Sequence, residues 1–167
     1  MKFRLIVMNF LEFAAWGAYL TSMGAFLASV GLGTDIGNYY AIQGIVSIFM
    51  PALMGIVADR WVQAQRLLSF CHFMAAVFMG IAAWIGLKGN DGTINGTALF
   101  SVYTASVAFY MPTLALSNSV AYTALDKAGL DTVKAFPPIR VFGTVGFICA
   151  MLFVDFAGYQ NTPIQFL

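Results

Sequence analysis

Glu12 is a carboxylate inside an apolar run that extends from Leu5 to about Val30. Trp16, Tyr19 and Met23 follow it at i+4, i+7 and i+11, one stripe along a helix. A carboxylate buried in such a run marks a functional position by default. Proton carriage is one use for it; a pair with a nearby base and a charge drawn to the membrane surface are the others. His72 is the single histidine and stands beside Cys71 in another apolar run, where packing or an interfacial position is its ordinary role. One histidine excludes an H-E-x-x-H metal site. There is no G-x-x-x-x-G-K-[ST] phosphate loop, and no serine occupies a G-x-S-x-G elbow. Cys71 and Cys149 lie inside apolar runs and form no disulfide or metal pattern. ATP-driven pumping by this chain and enzyme chemistry are therefore not expected, nor is a bound metal or cofactor.

The elements that carry these residues are membrane helices. Hydrophobic residues make up 60% of the 167 positions and charged residues 9%, against about 25% charged in soluble domains. Mean hydropathy is +0.83. The net charge of +1 gives no field that favours nucleic acid. A span needs about 20 largely apolar residues. That rule predicts five spans, at residues 5–30, 39–57, 67–87, 98–124 and 132–156. The first is too long for the h-region of a signal peptide, about 7–15 residues. Residues 88–97 (KGNDGTINGT) read as an exposed loop. Pro137 and Pro138 either open the fifth helix or kink one that begins near Thr132. Residues 158–167 read as the approach to a sixth span, and five spans followed by an abrupt end predict a chain cut from something longer. With the N-terminus in the cytoplasm, every lysine and arginine except Lys88 falls on the inner side.

Gly55-Ile56-Val57-Ala58-Asp59-Arg60, with Arg66, matches G-x-x-x-D-R plus a later basic residue between the second and third spans. It resembles the loop signature of the major facilitator superfamily. In a gate, Gly55 would let helices approach closely, and Asp59 would pair with an arginine or a helix N-terminus in one of two conformations. Val62, Gln63 and Ala64 stand where the usual pattern has glycine and basic residues.

A narrower resemblance follows from Tyr110-Met111-Pro112-Thr113, Leu116-Ser117-Asn118-Ser119, Ala128-Gly129-Leu130-Asp131 and the long run Phe136-Pro137-Pro138-Ile139-Arg140-Val141-Phe142-Gly143-Thr144-Val145-Gly146-Phe147. With Trp16-Gly17, Phe49-Met50-Pro51-Ala52 and Cys71-His72, these blocks look like the nucleoside:proton symporter family, the bacterial nucleoside and xanthosine permeases. The resemblance implies an all-α major facilitator helix bundle, the N-terminal half of a twelve-span transporter. It also implies proton-coupled nucleoside uptake across the cell inner membrane. The partners implied are nucleoside, protons, the lipid bilayer and the C-terminal half of the same transporter. Arg140, Thr144 and Phe147 are implied as substrate contacts. Their i, i+4, i+7 spacing puts them on one helical face, and their chemistry suits a base carbonyl, a ribose and an aromatic base. If the helix starts at Pro138, Arg140 is an interfacial anchor; if it starts near Thr132, Arg140 sits deeper and faces a polar cavity. Better-known permeases of the family carry glutamine at the position of Glu12, so the resemblance assigns it no role. Gln43, Tyr110, Thr113, Ser117 and Asn118 either line the pathway or join helices by hydrogen bonds. Other functions to weigh are a non-transporting truncated or assembly subunit and a facilitator for another polar solute such as a sugar.

Overall fold

The structure is a computed structural model that describes residues 1–89 and 94–167, so the expected 88–97 loop lies partly outside the described residues. Six helices are present among them: α1 (Lys2–Leu20), α2 (Met23–Ser29), α3 (Ile36–Arg60), α4 (Ala64–Lys88), α5 (Gly96–Lys127) and α6 (Thr132–Phe156). Five segments are long and apolar enough to cross a membrane, with α1 and α2 together forming the first. The chain is a multi-pass membrane protein.

The first span is broken where the sequence predicted one helix. Thr21 and Ser22 form a turn, and Ser22 is held by a buried contact of 2.5 Å to Gln165 Oε1 from the end of the chain. Gln165 in turn donates through Nε2 to the carbonyls of Thr162 (3.0 Å) and Gln160 (3.3 Å). Residues 159–167 thus fold back as two short 3-10 turns against α1, α2 and α4, with Phe166 edge-on to Phe26.

Helix ends follow local chemistry. The Asn95 side chain accepts from the Ala98 N–H at 3.0 Å, and the Asp131 carboxylate accepts from Val133 (3.0 Å) and Lys134 (3.3 Å). These caps satisfy amides that the first turn leaves free. Asp131 fixes the start of α6 at Thr132, so Pro137 and Pro138 fall in its second turn and forfeit bonds to the carbonyls of Val133 and Lys134. Arg140 is consequently two turns inside the helix.

The packing is layered. Near the end bearing the N-terminus, Leu5, Ala121, Leu125, Phe136 and Ile139 form one apolar cluster, and Leu67, Leu68, Cys71, Leu116 and Val120 form another. Toward the opposite end a larger cluster joins Tyr19, Phe26, Tyr39, Ala82, Leu99 and Tyr103 with their neighbours. A polar layer lies among them: Asn9, Glu12, Thr113 and Ser117 are all buried. By contrast α3 buries only Tyr39 and Gln43, and Gln43 accepts from Tyr103 at 2.7 Å.

The most extensive helix contact joins α1 to α6. It is a seam of small residues. A Cβ at Gly17 would run into the Phe147 carbonyl, one at Gly146 into the Phe10 carbonyl, and one at Gly143 would lie 2.7 Å from the Phe13 ring. Close backbone approach is the usual route to tight helix association in lipid, where no hydrophobic drive separates helix from acyl chain.

Candidate functional site

The seam presents aromatic and cationic side chains along one line. The Arg140 guanidinium lies over the Phe13 ring, 3.9 Å from its centroid. Phe13 meets Trp16 at 6.1 Å, and Trp16 meets Phe147 edge-on at 5.9 Å. Gly143 makes the first contact feasible, since a Cβ there would come within 2.9 Å of an Arg140 nitrogen as well as striking Phe13. Arg140 and Phe147 therefore share one row with two α1 aromatics, while Thr144 is exposed on the same helix. The Trp16 Nε1–H is buried with no hydrogen-bond partner among the described residues. Guanidinium, indole N–H, hydroxyl and aromatic faces are the groups that recognise a flat polar heterocycle carrying hydroxyls.

Glu12 faces the other way, toward α4 and α5. It is 3% exposed. His72 Nε2 lies 3.0 Å from its Oε2, and the Thr113 hydroxyl lies 2.6 Å from its Oε1. Tyr110 donates to the Glu12 main-chain carbonyl. The structure thus favours a pair with a nearby base over a charge drawn to the surface. Of the polar side chains in the spans, Tyr110, Thr113 and Gln43 make interhelical hydrogen bonds. Ser117 bonds its own helix at Leu114, and Asn118 Oδ1 is buried without a partner among the described residues.

The loop residues sit differently from expectation. Asp59, Arg60 and Arg66 are exposed, and none forms an ion pair among the described residues. Asp59 shares a cavity of about 330 Å³ with Gln63, Ser119 and Lys127. At Gly55 no other helix approaches in this conformation: a Cβ there would meet nothing within 4 Å. The glycines that bring α1 and α6 together are Gly17, Gly143 and Gly146.

Two further residues were missed in the sequence reading. His72 reads in the sequence as packed or interfacial; its signals there are that it is the lone histidine of a membrane span and that it stands in the Cys71-His72 block. Phe13 had none, because its importance depends on α6 lying across it.

The bundle, its arginine on a helix with two internal prolines and its polar layer define a helical membrane protein of major facilitator architecture. The chain belongs to the nucleoside H+ symporter family, whose model matches residues 1–167, as the motifs in α5 and α6 led us to expect. It is 41% identical over 164 residues to the xanthosine permease of Escherichia coli (strain K12), covering 97% of this chain and 37% of that protein. It is 39% identical over 168 residues to the nucleoside permease NupG of the same organism, covering 99% and 38%. The crystal structure of the nucleoside transporter NupG superposes with a TM-score of 0.87 at 39% identity, and that of a point mutant with 0.90 at 38%. Each covers 99% of this chain and 39% or 40% of the solved one. The chain thus spans well under half the length of these relatives.

Proposed function

We propose that these helices form the N-terminal half of a proton-coupled nucleoside transporter of the bacterial inner membrane. Its N-terminus lies in the cytoplasm, and it works by alternating access. The observation that carries this reading is the Arg140–Phe13–Trp16–Phe147 row on the α1–α6 seam, in a chain whose family and similar relatives are named for nucleosides. Arg140 and Thr144 hydrogen-bond the base or ribose, and Phe147 packs on the base. A second helical half, corresponding to the remaining length of the relatives, supplies the opposite wall. Gly55, Asp59, Arg60 and Arg66 act at the cytoplasmic end as a gate, the charged groups pairing in a conformation other than the one described here. Glu12 is the proton-coupling carboxylate. Orientation rests on the lysines and arginines, of which only Lys88 lies at the far end, its ammonium over Trp84.

The test is uptake of labelled uridine, adenosine and xanthosine by transport-deficient cells expressing the complete natural reading frame, with and without a proton gradient. Gradient-dependent uptake that Arg140→Ala abolishes supports both function and site. A well-inserted protein that takes up none of the three rejects nucleosides as substrates.

A further inference from the structure

His72 is used by nothing described so far, and its geometry is specific. Its two ring nitrogens face oxygens on opposite sides. Nδ1 lies 3.1 Å from the Leu68 carbonyl, which can only accept, so a hydrogen bond there requires a proton on Nδ1. Nε2 then faces Glu12 Oε2 at 3.0 Å with either a proton or a lone pair. In the first case the pair is imidazolium and carboxylate; in the second it is neutral imidazole and carboxylic acid. The two forms hold the same proton and the same net charge, and differ only in which atom carries it. Loss of that proton leaves a carboxylate beside a neutral ring, a net buried charge of −1.

The ring is the more accessible member of the pair. The His72 side chain is 38% exposed and that of Glu12 is 1%. His72 lines two separate cavities. One, of about 290 Å³, lies toward the N-terminal end with Met8, Gln65 and Ser69; the other, of about 190 Å³, lies toward the opposite end with Tyr19, Met79 and Gln165. Glu12 lines the first alone.

Other titratable groups around the pair are accounted for. On α5 the Tyr110 hydroxyl is committed to the Glu12 main-chain carbonyl. On α1 Tyr19 borders the second cavity, and on α4 Cys71 is buried in the cluster with Leu116. On α6 Arg140 lies on Phe13, and among the described residues no lysine or arginine pairs with Glu12. Among the described residues His72 is thus the one base placed to balance Glu12.

We propose that Glu12 and His72 form a proton-sharing pair in which His72 takes the proton from one side of the membrane, shares it with Glu12, and releases it on the other. The proposal deepens the coupling role assigned to Glu12 and rests on that reading. It also gives coupling a physical route. Glu12 and Phe13 are neighbours on α1, about 100° apart around the helix, so α1 has the proton pair on one flank and the Arg140 row on the other. The loaded pair is neutral and tolerates an apolar surround; the unloaded pair carries an uncompensated charge that opposes closure. A movement of α1 that closes around nucleoside is therefore open only to the protonated pair.

The test uses the complete reading frame in proteoliposomes, with Glu12→Gln and His72→Gln. Two transport modes are compared: accumulation driven by a pH gradient, and exchange of labelled for unlabelled uridine with no gradient. Coupling of one proton per nucleoside gives about tenfold accumulation for each pH unit of gradient. Both variants should lose it, falling to a ratio of about one, while retaining exchange. Full accumulation in His72→Gln with normal exchange overturns the proposal. A second readout does not depend on transport: infrared difference spectra of a pH titration, in which Glu12→Gln identifies the carboxyl band. His72→Gln should shift the titration of that band; an unmoved midpoint overturns the pair even if the wild type exchanges no nucleoside, an outcome that by itself rejects the substrate reading.

Discussion

Gly146→Ala adds one methyl group to the α1–α6 seam, and the structure sets its cost. The new Cβ would fall onto the Phe10 carbonyl, with the carbonyl carbon at 2.9 Å and the Cα at 3.1 Å. These are backbone atoms that no side-chain rotation can move. The atom at 2.9 Å must retreat to at least 3.4 Å before the contact becomes ordinary, so the helices must separate along the seam. A gap of about 0.5–1 Å forfeits about a quarter to a half of each van der Waals contact, and overpacking of this kind costs about 1–3 kcal/mol. The same separation pulls Arg140 from Phe13 and Phe147 from Trp16, and about 1 Å of misplacement in a binding site can cost about 100-fold in rate. Gly80 on α4 is the matched control, since a Cβ there meets nothing within 4 Å. Gly80→Ala should be neutral or stabilising by about 0.5–1 kcal/mol, because alanine is the better helix residue. The assay is thermal unfolding of both variants in detergent, beside uridine uptake in cells. Gly146→Ala should lower the midpoint and uptake together. Equal stability of the two variants would refute the close-packed seam.

Three further outcomes follow from single contacts. Thr113→Val removes the hydroxyl that bridges Glu12 Oε1 and the Tyr110 carbonyl and leaves the buried Glu12 oxygen without that partner; a loss of about 1–3 kcal/mol is expected by denaturant or thermal unfolding. Asp131→Ala removes the α6 cap and should cost about 0.5–2 kcal/mol, whereas Asp131→Asn should retain most of the stability. The loss would come from the cap, since the exposed Asp131–Lys134 pair at 3.7 Å contributes little. Phe13→Leu keeps an apolar side chain but removes the ring under Arg140. A cation–π contact of about 0.5–2 kcal/mol predicts a loss of stability of that size, read by thermal unfolding in detergent, with insertion unchanged.

Much of the architecture was legible because the membrane imposes simple rules. Hydropathy over about 20 residues locates a span whatever its neighbours do, and the spacing of Arg140, Thr144 and Phe147 follows from helical periodicity alone. The motifs around Pro112 and from Phe136 to Phe147 carried the family. What hydropathy could not register was the break at Thr21 and Ser22. Both residues sit in a run apolar enough to span, and the turn is held by Gln165, 143 residues away.

The sequence by itself determined the class of protein, the approximate spans, the orientation argument and the residues worth watching. It could not rank Gly55 against Gly17, Gly143 and Gly146, because a glycine permits close approach without saying whether another helix arrives. Nor could it join Glu12 to His72, 60 positions along the chain with α2 and α3 between them. That pairing exists only because α1 and α4 both pack against α5, which brings the two side chains together, and it turns two isolated titratable residues into one site. Local periodicity is written in neighbouring residues; the partner of a buried charge is chosen by the packing of whole helices.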